Sequence, residues 1–217
     1  RKMHSAWGLP QWTPAMPKSY KIRKSDQTPA MNNKVVYFPS CINQTMGLAK
    51  DSPVNQPLVK QMLSLLQKAG YEVIFPPKME KLCCGTIWES KGMLDIADSK
   101  STELEAALWE ASEQGRYPVL CDQSPCLHRM RATIQKIKLY EPAEFIYTFL
   151  RDKLEFTPTD RPIAIHITCS MRKMGLANTL ISLAKLCSTQ VFIPEEVGCC
   201  GFAGDKGFTQ PELNTYA

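Results

Sequence analysis

The sequence predicts an α/β protein: two repeated βαβ units with a mainly parallel sheet and cysteines at the C-terminal edge of the strands. Three observations predict it. Short apolar, β-branched runs alternate with longer segments of helical periodicity. One stretch of the chain resembles a second stretch closely. Nine cysteines fall mostly where strand signals give way to the next segment.

The elements follow in order. Residues 1–33 contain Pro10, Pro14, Pro17 and Pro29 without sustained periodicity, so an extended linker is expected, with Trp7 and Trp12 able to pin it. Residues 35–38, Val-Val-Tyr-Phe, read as a buried strand. Residues 58–69 place apolar side chains on one helical face, and Gly70 ends that helix. Residues 71–75 form a second strand, stopped by Pro76 and Pro77. A long helix over 92–113 and a third strand over 117–120 come next. Helices are expected over 126–137 and 142–154, then a strand over 163–167, a helix over 176–186 and a strand over 190–193. This divides the chain into a proline-rich linker (1–33), a first repeat domain (34–160) and a second (161–217) truncated at its C-terminus. Arg1 at the start and the unpunctuated end suggest a piece of a longer polypeptide.

Composition narrows the function classes. Apolar residues make up 44% and charged residues 22%, as in an ordinary globular domain. A net charge of +5 is dispersed, so no nucleic-acid partner is expected. The basic stretches 18–24 and 129–138 read as solvated faces, with docking to an acidic partner or anionic membrane as the alternative. No apolar run approaches the ~18 residues that span a bilayer. The polar, basic N-terminus is not a secretory signal. A cytoplasmic location is expected, with peripheral attachment to the inner face of the membrane as a variant. An odd number of cysteines without such a signal argues for metal or redox chemistry over a disulfide framework.

The repeat carries the chemistry. Residues 35–47 run Val-Val-Tyr-Phe-Pro-Ser-Cys-Ile-Asn-Gln-Thr-Met-Gly, and residues 163–175 run Ile-Ala-Ile-His-Ile-Thr-Cys-Ser-Met-Arg-Lys-Met-Gly. Each continues through a helix and a proline-ended strand to Cys-Cys-Gly, at residues 83–85 and 199–201. In parallel α/β sheets, ligands gather beyond the C-terminal ends of the strands. Cys41, Cys83 and Cys84 should therefore converge, as should Cys169, Cys199 and Cys200, and Cys121 and Cys126 fall on the first edge. Gly85 and Gly201 would let backbone approach a bulky cofactor. Thiolate-rich sites suit iron–sulfur clusters. Zinc, a catalytic dithiol and buried structural cysteines remain open on spacing alone. Cys187, on an apolar helix face, reads as a core residue.

Other candidates are weaker. The run Gly-Phe-Ala-Gly-Asp-Lys-Gly at 201–207 is neither a P-loop nor G-x-G-x-x-G, and a loop wrapped around a cluster is preferred to phosphate binding. His166 reads as a core histidine inside a strand. His128 could hydrogen-bond a cluster sulfur. Glu195 and Glu196 read as solvated carboxylates.

The pattern of a cysteine, a Cys-Cys-Gly and a further cysteine, repeated twice, resembles the cysteine-rich CCG domain found in heterodisulfide reductases and in the iron–sulfur subunits of glycolate oxidases. Residues 38–43 (Phe-Pro-Ser-Cys-Ile-Asn), 121–126 (Cys-Asp-Gln-Ser-Pro-Cys) and 196–207 are similar to the C-terminal region of FAD- and iron–sulfur-containing D-lactate (D-2-hydroxyacid) dehydrogenases. The resemblance implies an oxidoreductase part that relays electrons from flavin to an acceptor through a cysteine-held [4Fe-4S]-type cluster, cubane or not. It implies FAD elsewhere in the full polypeptide, and no hydroxyacid oxidation by these residues alone, which include no catalytic residue. The implied partners are flavin and ferredoxin-like domains of the same chain and a quinone, cytochrome or other redox acceptor. By position, Cys41, Cys83, Cys84 and Cys126 match the first ligand set, and Cys169, Cys199 and Cys200 match part of the second. Cys121 departs from the usual Cys-x-x-Cys closing motif. Disulfide cleavage of the heterodisulfide-reductase kind and a structural zinc or scaffold role are the alternatives.

Overall fold

The computed structural model describes residues 17–23, 26, 28–195, 198–202 and 204–215. Strands β1 (Asn33–Phe38), β2 (Tyr71–Ile74), β3 (Val119–Cys121) and β4 (Leu139–Tyr140) form one sheet in the order β2-β1-β3-β4. Every pairing in it is parallel, with Val36 opposite Ile74 and Phe38 opposite Cys121. Parallel neighbours need crossovers, and helices supply them. α1 (Cys41–Thr45) and α2 (Leu58–Lys68) lead from β1 to β2, α3 (Thr86–Glu89) and α4 (Leu94–Ala111) from β2 to β3, and α5 (Ser124–Thr133) from β3 to β4. The chain is α/β, as its periodicity implies.

Alternation along β1 sorts the two faces. Val35 and Tyr37 pack with Tyr71, Val73 and Leu120 against α2, whose Val59, Met62, Leu63 and Leu66 form the buried stripe. Phe145 and Leu150 close the same layer from α6 (Pro142–Phe145) and the π turn Ile146–Leu150 that continues it. Val36, Phe38, Val119 and Cys121 face the other way, onto Leu104 and Leu108 of α4 and Leu127 and Met130 of α5. The sheet is thus covered on both sides, which is why its strands read as continuous apolar runs. Gly70, at φ +76°, ends α2 and turns the chain into β2.

The second repeat is slighter. β5 (Ile163–Ala164) and β6 (Val191–Phe192) make a separate two-stranded parallel sheet. Between them lie α7 (Cys169–Lys173) and α8 (Ala177–Cys187), and α9 (Lys206–Thr209) follows. Ile167, Met171 and Leu176 pack with Ala143 of α6, joining this unit to the first.

Several expectations need correction. The strand expected over 163–167 is two residues long, because its one partner ends at Phe192 and no third strand extends the ladder among the described residues. His166 therefore lies beyond the strand and is exposed, not a core residue. Cys187 is also exposed. It is the last residue of α8, where the chain turns away before the buried face marked by Ala184 can continue. β4 was absent from the expected elements, since two residues between Lys138 and Glu141 leave no periodic signal. The helix expected over 142–154 is interrupted by the π turn and a 3₁₀ turn over Arg151–Lys153.

The later part of the proline-rich stretch is tied down. Tyr20 N–H donates to the Thr45 carbonyl at 2.8 Å, and the Thr28 hydroxyl accepts from Val73 N–H at 2.6 Å. Trp7 and Trp12 lie outside the described residues.

Candidate metal centre

The first ligand set is placed by three adjacent parallel strands. β1 runs through Pro39 and Ser40 into Cys41, the first residue of α1. β2 leads by Pro76 and a short 3₁₀ turn to Cys83 and Cys84. β3 ends on Cys121, and α5 presents Cys126 one turn later. All three connections leave the same edge of the sheet, so their thiols come together without a long loop.

Ser40 caps α1, its hydroxyl accepting from Asn43 N–H. Its own N–H donates to the buried Asp122 carboxylate at 2.8 Å, and Tyr37 donates its hydroxyl to the other oxygen at 2.7 Å. Burial raises the Asp122 pKa, opposed by these donors. Asp122, directly after Cys121, thus fixes the start of the Cys41 helix against the end of β3. An Asp122→Ala protein leaves a buried hydroxyl and a buried N–H without partners. We expect it to lose about 3 kcal/mol of stability by urea denaturation; a loss under half of that would mean water replaces the carboxylate.

The thiols lie near enough to perturb one another's ionisation. Cys41 is exposed as a residue, yet partial burial of its thiol, and then the neighbouring Cys83, push its pKa up. Cys83 is raised above its ordinary value by hydrogen bonding with the Cys84 thiol and by burial, while the Gly85 N–H, 3.4 Å from the Cys83 sulfur, acts the other way. Cys84 is buried, and hydrogen bonding with Cys126 is the first cause that pushes it up, to about 12. For Cys126 the Cys84 thiol favours ionisation, but burial and Cys121 outweigh it. Cys121 is fully buried, and burial, then Asp122, holds it well above the usual thiol range. Burial thus opposes the ionisation of all five thiols, and they can become thiolates together only around positive charge. A polycationic group fits this donor set. Among the described residues, no three His, Cys, Asp or Glu side chains are drawn in tightly enough to hold one metal ion.

The second set is different. Cys169 begins α7, which Thr168 caps as Ser40 caps α1, so the repeat extends to local structure. Cys169, Cys199 and Cys200 are all exposed. The loop after Cys200 nevertheless reaches the segment that follows the first Cys-Cys-Gly: Lys91 pairs with Asp205 at 2.7 Å, and Gly204 lies against Ser90. His128 is exposed on α5, Glu195 is exposed, and Glu196 lies outside the described residues.

The paired-cysteine glycines have a reason other than access for a cofactor. Gly85 sits at φ +88°, and a Cβ there would come within 2.5 Å of the Ala97 carbonyl oxygen and 2.8 Å of the Arg129 Nε. A Cβ on Gly201, at φ +69°, would collide with the Leu213 backbone. Both spaces are filled by the protein's own chain. A Gly85→Ala protein should lose about 2–4 kcal/mol from left-handed strain and overpacking. A thermal melt indistinguishable from the parent's would contradict that.

Arg129 carries no signal of its own in the sequence, where it sits in a run that reads as a solvated face. It is 5% exposed. Only the apolar neighbours Leu127 and Met130 hint at its burial. Among the described residues no helix is long and apolar enough to cross a membrane.

No curated protein and no solved structure matches the chain significantly. The cysteine-rich domain family CCG does match, over residues 35–131 and again over 163–217. The two matched stretches hold the two cysteine sets and together span more than half of the chain, which belongs to the CCG cysteine-rich domain family, a group of redox-related modules.

Proposed function

We propose that this chain is an iron–sulfur electron-transfer module, with Cys41, Cys83, Cys84 and Cys126 as the ligands of its first centre and Cys121 beside them. The observation that carries the reading is the gathering of these thiols, from three connections of one parallel sheet, near enough to perturb one another's ionisation. When bound, an iron–sulfur cluster would supply one-electron chemistry. The protein's part is to hold the thiolates, donate the Gly85 N–H to sulfur, and exclude water around Cys84 and Cys121.

The finer reading places the module in a flavin-dependent D-2-hydroxyacid dehydrogenase of the D-lactate or glycolate type. It rests on the runs 38–43, 121–126 and 196–207. In it, flavin and ferredoxin-like domains of the same polypeptide donate electrons, and a quinone, cytochrome or redox protein accepts them. Cys169, Cys199 and Cys200 would form part of a second centre. A cleft of about 1250 Å³, lined by Cys41, Lys60, Phe75 and Lys78 among others, opens beside the first centre, where a redox partner could approach.

Anaerobic reconstitution tests the module. Iron and acid-labile sulfide in comparable amounts, with visible absorbance bleached by dithionite, are expected. Zinc retention with no sulfide would overturn the reading. Turnover of a disulfide by the reconstituted protein would move it to the heterodisulfide-reductase kind.

A further inference from the structure

We propose that Arg129 is a positioning residue for the first Cys-Cys-Gly turn: its guanidinium grips the Cys84 carbonyl and so fixes where the Cys84 thiol is held. Nε donates to the Cys84 carbonyl oxygen at 3.1 Å, and the Ser101 hydroxyl donates to the same oxygen at 3.2 Å. The two Nη atoms donate to Glu89 of α3 and Asp98 of α4, the latter at 2.7 Å.

Arg129 lies one helical turn after Cys126 on α5, so both project from one face of that helix. The helix that carries Cys126 therefore also anchors the Cys84 turn, through the guanidinium of Arg129. The fork also ties together α3, α4 and α5, which flank the turn. A buried guanidinium with three divergent acceptors is a task that lysine, a single point donor, cannot fill. Gly85 completes the arrangement, since any side chain there would displace the Nε.

Removing Arg129 need not unfold the protein. Its two carboxylate partners are 47% and 69% exposed and can return to water, and Ser101 still serves the Cys84 carbonyl. What should change is local opening of the turn. The contact itself does not depend on metal; its consequence for cluster loading rests on the reading proposed above.

The test uses reduced, metal-free protein, with alkylation of Cys84 by iodoacetamide followed residue by residue. Arg129→Met should raise the Cys84 rate about tenfold, Arg129→Lys should fall between it and the parent, and Ser101→Ala should raise it about threefold. Alkylation at exposed Cys187 serves as the internal reference. Unchanged Cys84 protection in folded Arg129→Met overturns the proposal. If that variant fails to fold, unchanged protection in both Arg129→Lys and Ser101→Ala overturns it equally. After reconstitution, Arg129→Met should hold less than about half of the parent's iron. A parent that takes up no iron sinks the cluster reading alone, because the alkylation result stands without it.

Discussion

A Cys84→Ser protein, reconstituted anaerobically, is expected to lose its iron and sulfide almost completely, with at least roughly a tenfold loss of cluster affinity. Cys84 lies between the other thiols, its ionisation perturbed by both Cys126 and Cys83. It is also buried, so no water-exposed route offers a substitute donor. Serine keeps the shape and the hydrogen bond with the Thr86 hydroxyl, found 3.3 Å from the sulfur, so the fold should survive. Cys126→Ser should behave in the same way. The combined Cys169→Ser, Cys199→Ser and Cys200→Ser protein should keep the iron of the first centre, because those residues are exposed and belong to the other repeat. Equal iron in the parent and Cys84→Ser proteins would remove the first cysteine set from the centre. Iron lost only from the triple variant would move the centre to the second repeat.

The architecture was legible where physics acts locally. Strand β1 and helix α2 announce themselves because burial on two faces, or on one stripe, dictates their residue pattern. The convergence of Cys41 with the Cys83–Cys84 pair followed from parallel topology, since adjacent parallel strands must end at one edge. The fates of His166 and Cys187 depended on where a short sheet and a helix stop, which sequence periodicity does not encode. Gly85 stands out in the sequence, but the space it leaves is occupied by Ala97 and Arg129 from distant segments. Arg129 itself could not be read as buried, because its acceptors lie on elements that only tertiary packing assembles.

The metal-free protein should lose stability as pH rises from about 9 toward 12, while the cluster-loaded protein should not. An unfolded cysteine releases its proton near its ordinary value of 9.0, whereas folded Cys84 keeps it until about 12. Between those values the unfolded chain binds fewer protons than the folded one, so stability falls with pH; below them both states are protonated and the contribution is complete. Cys41, Cys83, Cys121 and Cys126 shift in the same direction and add to the slope. For Cys84 alone the effect is on the order of 3 kcal/mol across the window. Ligation removes these protons at neutral pH, so loading should release protons and speed up with rising pH. Thermal melts of both forms at stepped pH read the difference directly. A Cys84→Ala protein should flatten the metal-free curve. Parallel curves for loaded and metal-free protein throughout the window would mean that the thiols are not the groups the cluster engages.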